Sequence, residues 1–78
     1  MNNPEPTHRL EPFGMRAVRL GLVSVEQTEK ALAVQKMLDK NGQRQLLGMI
    51  MVDLQMITTT QLLAVLHSYE ADARAPII

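Results

Sequence analysis

The sequence predicts an all-α fold, a small helical bundle built from two tandem units that each join a short helix to a longer one. Apolar residues recur at three- and four-residue spacing, which is typical of amphipathic helices, and no segment alternates with period two as a strand would. In addition, residues 13–35 align without a gap on residues 47–69 when the chain is shifted by 34 positions. Self-similarity of this kind indicates two copies of one supersecondary unit.

The repeat contains identities as well as residues of the same chemical type. The identical pairs are Gly14 with Gly48, Met15 with Met49, Val18 with Val52, Leu20 with Leu54, Gln27 with Gln61 and Leu32 with Leu66. Tetratricopeptide repeats share this period, but two copies are too few for such an array and its Trp, Tyr and Phe pattern is missing. We therefore expect two twin helical hairpins that pack on each other.

The length of 78 residues allows a single domain. Residues 1–11 are rich in proline and polar side chains, and residues 72–78 show no periodic pattern, so both segments are predicted to be disordered or flexible tails. The helical domain is then expected over residues 12–71, with repeat units at about 12–41 and 46–70.

The first unit is predicted to contain a short helix near residues 13–20 and a long helix that begins after Ser24. Ser24 and Gln27 have the spacing of a capping box, in which the hydroxyl and the amide each bond a backbone N–H of the first turn. Asn41 and Gly42 supply the stop signal for this helix.

The second unit is predicted to repeat this order, with a short helix at about residues 46–54 and a capping box formed by Thr58 and Gln61. Its short helix is apolar nearly all round and is expected to be the most buried element. The first short helix carries Arg16 and Arg19 and is expected to be less buried. The apolar stripe predicted for the last helix comprises Leu62, Leu66 and Tyr69, widened by Leu63 and Val65.

Composition excludes several classes of function. The chain has no cysteine, so disulfides and thiolate metal sites are ruled out, and its formal net charge of zero argues against binding a nucleic acid polymer. The longest apolar run, at residues 46–57, is shorter than the roughly 20 residues needed to cross a bilayer. With no secretory signal at its start, the protein is expected in the cytoplasm without membrane insertion.

No residue pattern predicts catalysis, a metal site or a cofactor. His67 is interpreted as a solvated surface residue, and Ser68 beside it points about 100° away around the helix, so the two cannot act as base and nucleophile. We therefore expect a protein that is not an enzyme.

The order of a Leu-Gly start, a short helix, a tight turn and a Leu-rich helix ending in Gln resembles the N-terminal domain of type II secretion and type IV pilus assembly ATPases. That family, which includes a version that binds cyclic di-GMP, carries two tandem motifs of the form RLGxxLxxxGxxxxxxLxxxLxxQ. The resemblance covers residues 12–69 and implies ligand-binding positions at Gly14, Gly21, Leu32 and Gln35 in the first copy and at Leu47, Gly48, Leu62 and Leu66 in the second. The 78 residues have no room for an ATPase domain, so the resemblance implies that we should expect a stand-alone, degenerate copy.

This sequence departs from the family motif at its charged positions. The two leading arginines are replaced by Pro12 and Leu46, and the second closing glutamine is replaced by Tyr69. A cyclic dinucleotide requires cationic, planar donors for its phosphates and guanines, and only Arg9 and Arg44 lie near enough in sequence to substitute.

The leading hypothesis is a non-catalytic protein-interaction or adaptor module, with a secretion, pilus or signalling component as its partner. A homodimer is a further alternative, because a small domain gains stability by association. The second hypothesis is a sensor of cyclic di-GMP. The frequent methionines, Met37, Met49, Met51 and Met56, are either core filler or an adaptable contact surface.

Overall fold

A computed structural model describes residues 11–74, and this part of the chain forms four α-helices and no strand. The helices are α1 (Phe13–Arg19), α2 (Val25–Lys40), α3 (Leu47–Asp53) and α4 (Thr59–Arg74). Helices α1 and α2 form the first unit, and α3 and α4 form the second. The predicted all-α bundle of two short-helix and long-helix units is confirmed.

Both long helices begin at the predicted capping boxes. The Ser24 hydroxyl accepts from the Gln27 N–H over 3.0 Å, and the Gln27 side-chain oxygen accepts from the Ser24 N–H over 2.9 Å. Thr58 and Gln61 make the same two hydrogen bonds, at 3.1 and 2.9 Å. Each box satisfies two backbone donors that a helix start would otherwise leave unpaired.

The short helices also end alike, each with one residue in the left-handed region. Gly21 has φ +78° after α1, and Gln55 has φ +62° at the equivalent position after α3. The next residues, Leu22 and Met56, donate back to carbonyls five positions earlier, over 3.0 and 2.8 Å. This is the Schellman arrangement, which turns the chain sharply from the short helix toward the long one.

The buried residues follow the repeat. Each buried residue within the described range has a buried counterpart, meaning the residue 34 positions away in the other unit. The pairs are Gly14 with Gly48, Arg16 with Ile50, Ala17 with Met51, Val23 with Ile57, Thr28 with Leu62 and Ala31 with Val65. The last four of these pairs place the larger side chain in the second unit, so that unit fills more of the core.

The two short helices meet at the centre of the bundle through their glycines. A Cβ on Gly14 would lie 3.3 Å from Leu47 Cδ2, and a Cβ on Gly48 would lie 3.0 Å from Phe13 Cζ. Phe13 and Leu47 are themselves counterparts, so the units are related by an approximate twofold rotation. Both long helices pack on this central pair, whereas α2 and α4 make no close backbone contact with each other.

Two expectations about burial were wrong. Helix α1 is not the less buried twin, because Arg16 is fully enclosed and each short helix buries three residues at equivalent positions. Leu66 was expected in the core stripe, but it is about half exposed because Leu62 and Val65 occupy the inner face of α4. The prediction for Leu66 followed leucine spacing alone, and the buried face instead continues from Val65 toward Asp72.

The packed region extends slightly beyond the predicted bounds. Glu11 and Asp72 both contact Arg16, and α4 continues to Arg74, although the domain was expected to span residues 12–71. The remainder of the predicted tails, residues 1–10 and 75–78, lies outside the described residues. Between residues 11 and 74, the helices are too short or too polar to cross a membrane.

Candidate functional site

The resemblance directs attention first to Gln35, on α2, and the chain segment that leads into α3. The Gln35 side-chain amide donates to the backbone carbonyl of Gln45 over 3.0 Å and so joins the two units. Beside this bond lies a shallow groove of about 300 Å³ lined by Gln35, Asp39, Arg44, Gln45 and Leu46. An amide, a guanidinium and a carboxylate at one groove are suited to a small polar ligand.

The twofold rotation relates this corner to a second one where α4 meets the start of α1. There Tyr69, the counterpart of Gln35, donates its hydroxyl to the backbone carbonyl of Glu11, the counterpart of Gln45. The same inter-unit hydrogen bond therefore occurs at both corners. What differs is the buried residue at the equivalent position of each short helix, which is Ile50 in α3 and Arg16 in α1.

Among the residues that the structure describes, three side chains accept hydrogen bonds from the Arg16 guanidinium. Its Nε donates to Glu11 over 3.1 Å, one terminal nitrogen donates to the Ser68 hydroxyl over 2.9 Å, and the other donates to Asp72 over 2.5 Å. The guanidinium carbon also lies 3.8 Å from the centre of the Tyr69 ring. These contacts compensate the buried charge, which would otherwise be strongly destabilising.

The stability that the second corner contributes is expected to fall at both acid and alkaline pH. Hydrogen bonds from Arg19, and then from Arg16, hold the pKa of Glu11 below its ordinary value of 4.5. Stability from Glu11 is therefore present above the ordinary carboxyl range and is lost as the pH falls through the lowered value. Burial raises the pKa of the Tyr69 phenol above its ordinary value of 10.0. The stability that Tyr69 contributes is therefore present below the ordinary value and is lost as the pH rises through the raised pKa.

The three candidate glycines lie at close helix contacts or in a turn. A Cβ on Gly14 would lie 2.7 Å from Thr28, and a Cβ on Gly48 would lie 2.6 Å from Leu62, so both permit close helix packing. Gly21 lies in the left-handed turn after α1 with no heavy atom within 4 Å of a Cβ position.

Among the remaining candidates, Leu62 is buried and Leu47 is half-buried beside Gly14. Leu32 and Leu66 are exposed and lie on different long helices. Of the eight candidate ligand-binding positions, Gln35 is the one that lines the groove.

The buried cluster around Arg16 was missed in the sequence, although a signal was present. The shift of 34 positions places Arg16 on Ile50, so a cation stands where the other unit has an apolar residue. Its partners Ser68, Tyr69 and Asp72 occur at the counterparts of Val34, Gln35 and Leu38. Arg16, Ser68 and Asp72 thus all stand where the other unit has an apolar residue, and such coordinated replacement indicates a buried polar network rather than a solvated face.

The outer edges of the two long helices differ in charge. We define the α4 seam as Thr59, Leu63, Leu66 and Glu70, and the α2 seam as the counterparts Val25, Glu29, Leu32 and Lys36. Leu63 and Leu66 are 48% and 47% exposed, and Leu32 is 45% exposed. From Thr59 to Tyr69 the sequence has no charged side chain. Glu70 is therefore the one charged member of the α4 seam, whereas the α2 seam carries both Glu29 and Lys36.

Within the described residues, no group of three or more His, Asp or Glu side chains is placed to hold a metal ion. His67 lies exposed on α4. No protein-family model, no curated protein and no solved structure matches this chain.

Proposed function

We propose that this chain is a non-catalytic helical interaction module that binds a protein partner through the α4 seam. The observation that carries the proposal is the contrast between two equivalent helix edges. Surface helices normally direct charged side chains to solvent, as α2 does with Glu29, whereas α4 has Leu63 at the equivalent position and so exposes two leucines, Leu63 and Leu66, about one turn apart. Contiguous exposed apolar side chains on an ordered helix are typical of protein-binding surfaces.

The resemblance to the secretion and pilus ATPase domain supports the same role. In that family the domain lies at the periphery of the ATPase and contacts other components of the machinery. The proposed partner is accordingly a secretion, pilus or signalling component. The packing positions of Gly14 and Gly48 are compatible with a module that keeps the family scaffold without its ligand.

Site-specific photo-crosslinking in the source cell tests this proposal. Benzoylphenylalanine replaces Leu63 in the α4 seam, and the matched control replaces its counterpart Glu29 in the α2 seam. We expect a protein adduct from position 63 and none from position 29. The captured protein is identified by mass spectrometry, purified and titrated against the wild-type chain and Leu63→Glu. Because a desolvated carboxylate would replace apolar contact, L63E should weaken binding about tenfold or more.

Equal adducts from both positions would contradict the assignment of the α4 seam. So would a purified partner that binds L63E as tightly as the wild type.

A specific observation keeps cyclic di-GMP binding as the second candidate. Arg44 lines the same groove as Gln35 and Leu46, and Leu46 stands where the family motif has its arginine. A guanidinium displaced by two residues could therefore meet a phosphate or a guanine edge there.

Calorimetric titration with cyclic di-GMP tests this alternative, with Arg44→Ala as the informative variant. Gln35→Ala is a poorer test, because the Gln35 amide also holds the backbone of Gln45 and its loss would disturb the fold. Saturable binding that is lost in R44A would favour the sensor over the interaction module. No heat of binding at millimolar nucleotide would exclude it.

A further inference from the structure

The α4 seam has the spacing of a coiled-coil contact. Its members are separated by four, three and four residues, which is the alternation of the a and d positions of a heptad. The seam lies beside the core-facing surface of α4, since Leu62 and Val65 are buried while their neighbours Leu63 and Leu66 are half exposed. Helix α4 thus has a second apolar edge, on which both leucines leave about half of their surface exposed.

The order of residues along this seam is self-complementary. If two α4 helices lie antiparallel with a twofold axis between residues 64 and 65, Leu63 of each copy faces Leu66 of the other. The same operation places Thr59 opposite Glu70. Two central apolar layers are then flanked by two polar ones, which is the arrangement of a short isologous contact.

The charges also favour a second copy. Glu70 of one chain would approach the start of α4 in the other, where the helix dipole gives partial positive charge. The formal net charge of the chain is zero, so two copies meet no overall repulsion. The α2 seam lacks this symmetry, because the same axis would place Glu29 against Leu32 and leave a carboxylate on an apolar side chain.

We infer that the chain pairs with a second copy of itself, with the two α4 helices antiparallel and in contact through the α4 seam. This inference rests on the proposed function, because it uses the same α4 seam, and it adds a second copy of the chain as an occupant of that seam. The contact is small: a 16-residue helix is about 24 Å long, and one seam of that length covers less than the roughly 1,600 Å² of a standard interface. The pairing is therefore weak and reversible, with dissociation in the micromolar to millimolar range.

Sedimentation equilibrium of the full chain from micromolar to millimolar concentration tests the pairing. The informative variant is Leu66→Lys, and the matched control is Leu32→Lys at the counterpart position in α2. The two leucines are 47% and 45% exposed, so both substitutions remove similar surface from a similar helix position. Thermal melts at low concentration confirm that both variants fold.

We expect the average mass of the wild type and of L32K to rise with concentration toward that of a dimer, while L66K remains monomeric. The antiparallel orientation is tested by thiol cross-linking, since the chain has no cysteine of its own. A mixture of Leu63→Cys and Leu66→Cys should cross-link faster than either variant alone.

A wild type that stays monomeric at millimolar concentration overturns the inference. Equal loss of dimer in L66K and L32K overturns it as well, and faster cross-linking of single variants than of the mixture contradicts the antiparallel arrangement. The inference and the proposed function fail separately: a monomer that still yields an adduct with another protein from position 63 rejects only the second copy.

Discussion

The left-handed residue after α3 provides the sharpest test of the repeat. Gln55 has φ +62° and is the one residue other than glycine with positive φ between residues 11 and 74. This conformation costs a residue with a Cβ about 1–2 kcal/mol, whereas glycine adopts it freely. Its counterpart Gly21 has nearly the same backbone at φ +78°. The two turns therefore differ mainly in whether a side chain is present.

Exchanging the residues should change stability in opposite directions. Gln55→Gly removes the left-handed penalty but adds about 0.5–1 kcal/mol of unfolded-state entropy, so the expected net gain is about 0.5–1 kcal/mol. Gly21→Gln should lose a similar amount. No heavy atom lies within 4 Å of a Cβ at Gly21, so this loss comes from the backbone and not from a clash. For a domain of this size the change corresponds to about 2–8 °C in melting temperature.

Thermal and urea unfolding followed by far-ultraviolet circular dichroism measures both variants. Gln43→Gly is the matched control, because Gln43 also follows a helix end but has no positive φ. It should leave stability unchanged or lower it slightly. The reasoning fails if Gln55→Gly is no more stable than the wild type, or if Gly21→Gln unfolds at the same temperature as the wild type.

Three further predictions concern the core, the charged corner and a helix cap. Gly48→Ala should destabilise the fold by about 1 kcal/mol, because overpacking outweighs the gain in helix propensity. The new Cβ would lie 2.6 Å from the side chain of buried Leu62. A urea unfolding midpoint equal to that of the wild type would contradict this. Glu11→Gln should flatten the acid limb of a stability–pH curve, since the lowered carboxyl pKa makes the wild type lose stability as pH falls; identical acid limbs would argue against Glu11 as the source. Thr58→Ala should cost about 1 kcal/mol by leaving the Gln61 N–H without its acceptor, whereas Thr58→Ser should restore the wild-type melting temperature.

Much of the fold could be predicted from local patterns. The capping pairs Ser24 with Gln27 and Thr58 with Gln61 are set by residues three positions apart, so sequence spacing is sufficient to find them. The two-unit order follows from the repeat, which the buried residues obey position by position.

The interactions between the units were harder to predict. Arg16 is bonded to Ser68 and Asp72, which lie 52 and 56 positions away, and only the folded arrangement brings them together. Arginine in a short helix usually faces water, so its burial depends on partners that helical periodicity does not identify. The exposure of Leu66 has the same origin, since leucine spacing does not tell which of two adjacent apolar edges meets the core.

The central position of the two seven-residue helices has a consequence for how the domain unfolds. Helices of that length are not stable alone, so α1 and α3 persist only while α2 and α4 both cover them. Because α2 and α4 do not pack on each other, detaching either one exposes apolar side chains of both α1 and α3. Partial unfolding therefore leads to complete unfolding, and a fragment containing a single repeat unit would remain a coil that proteases cleave readily.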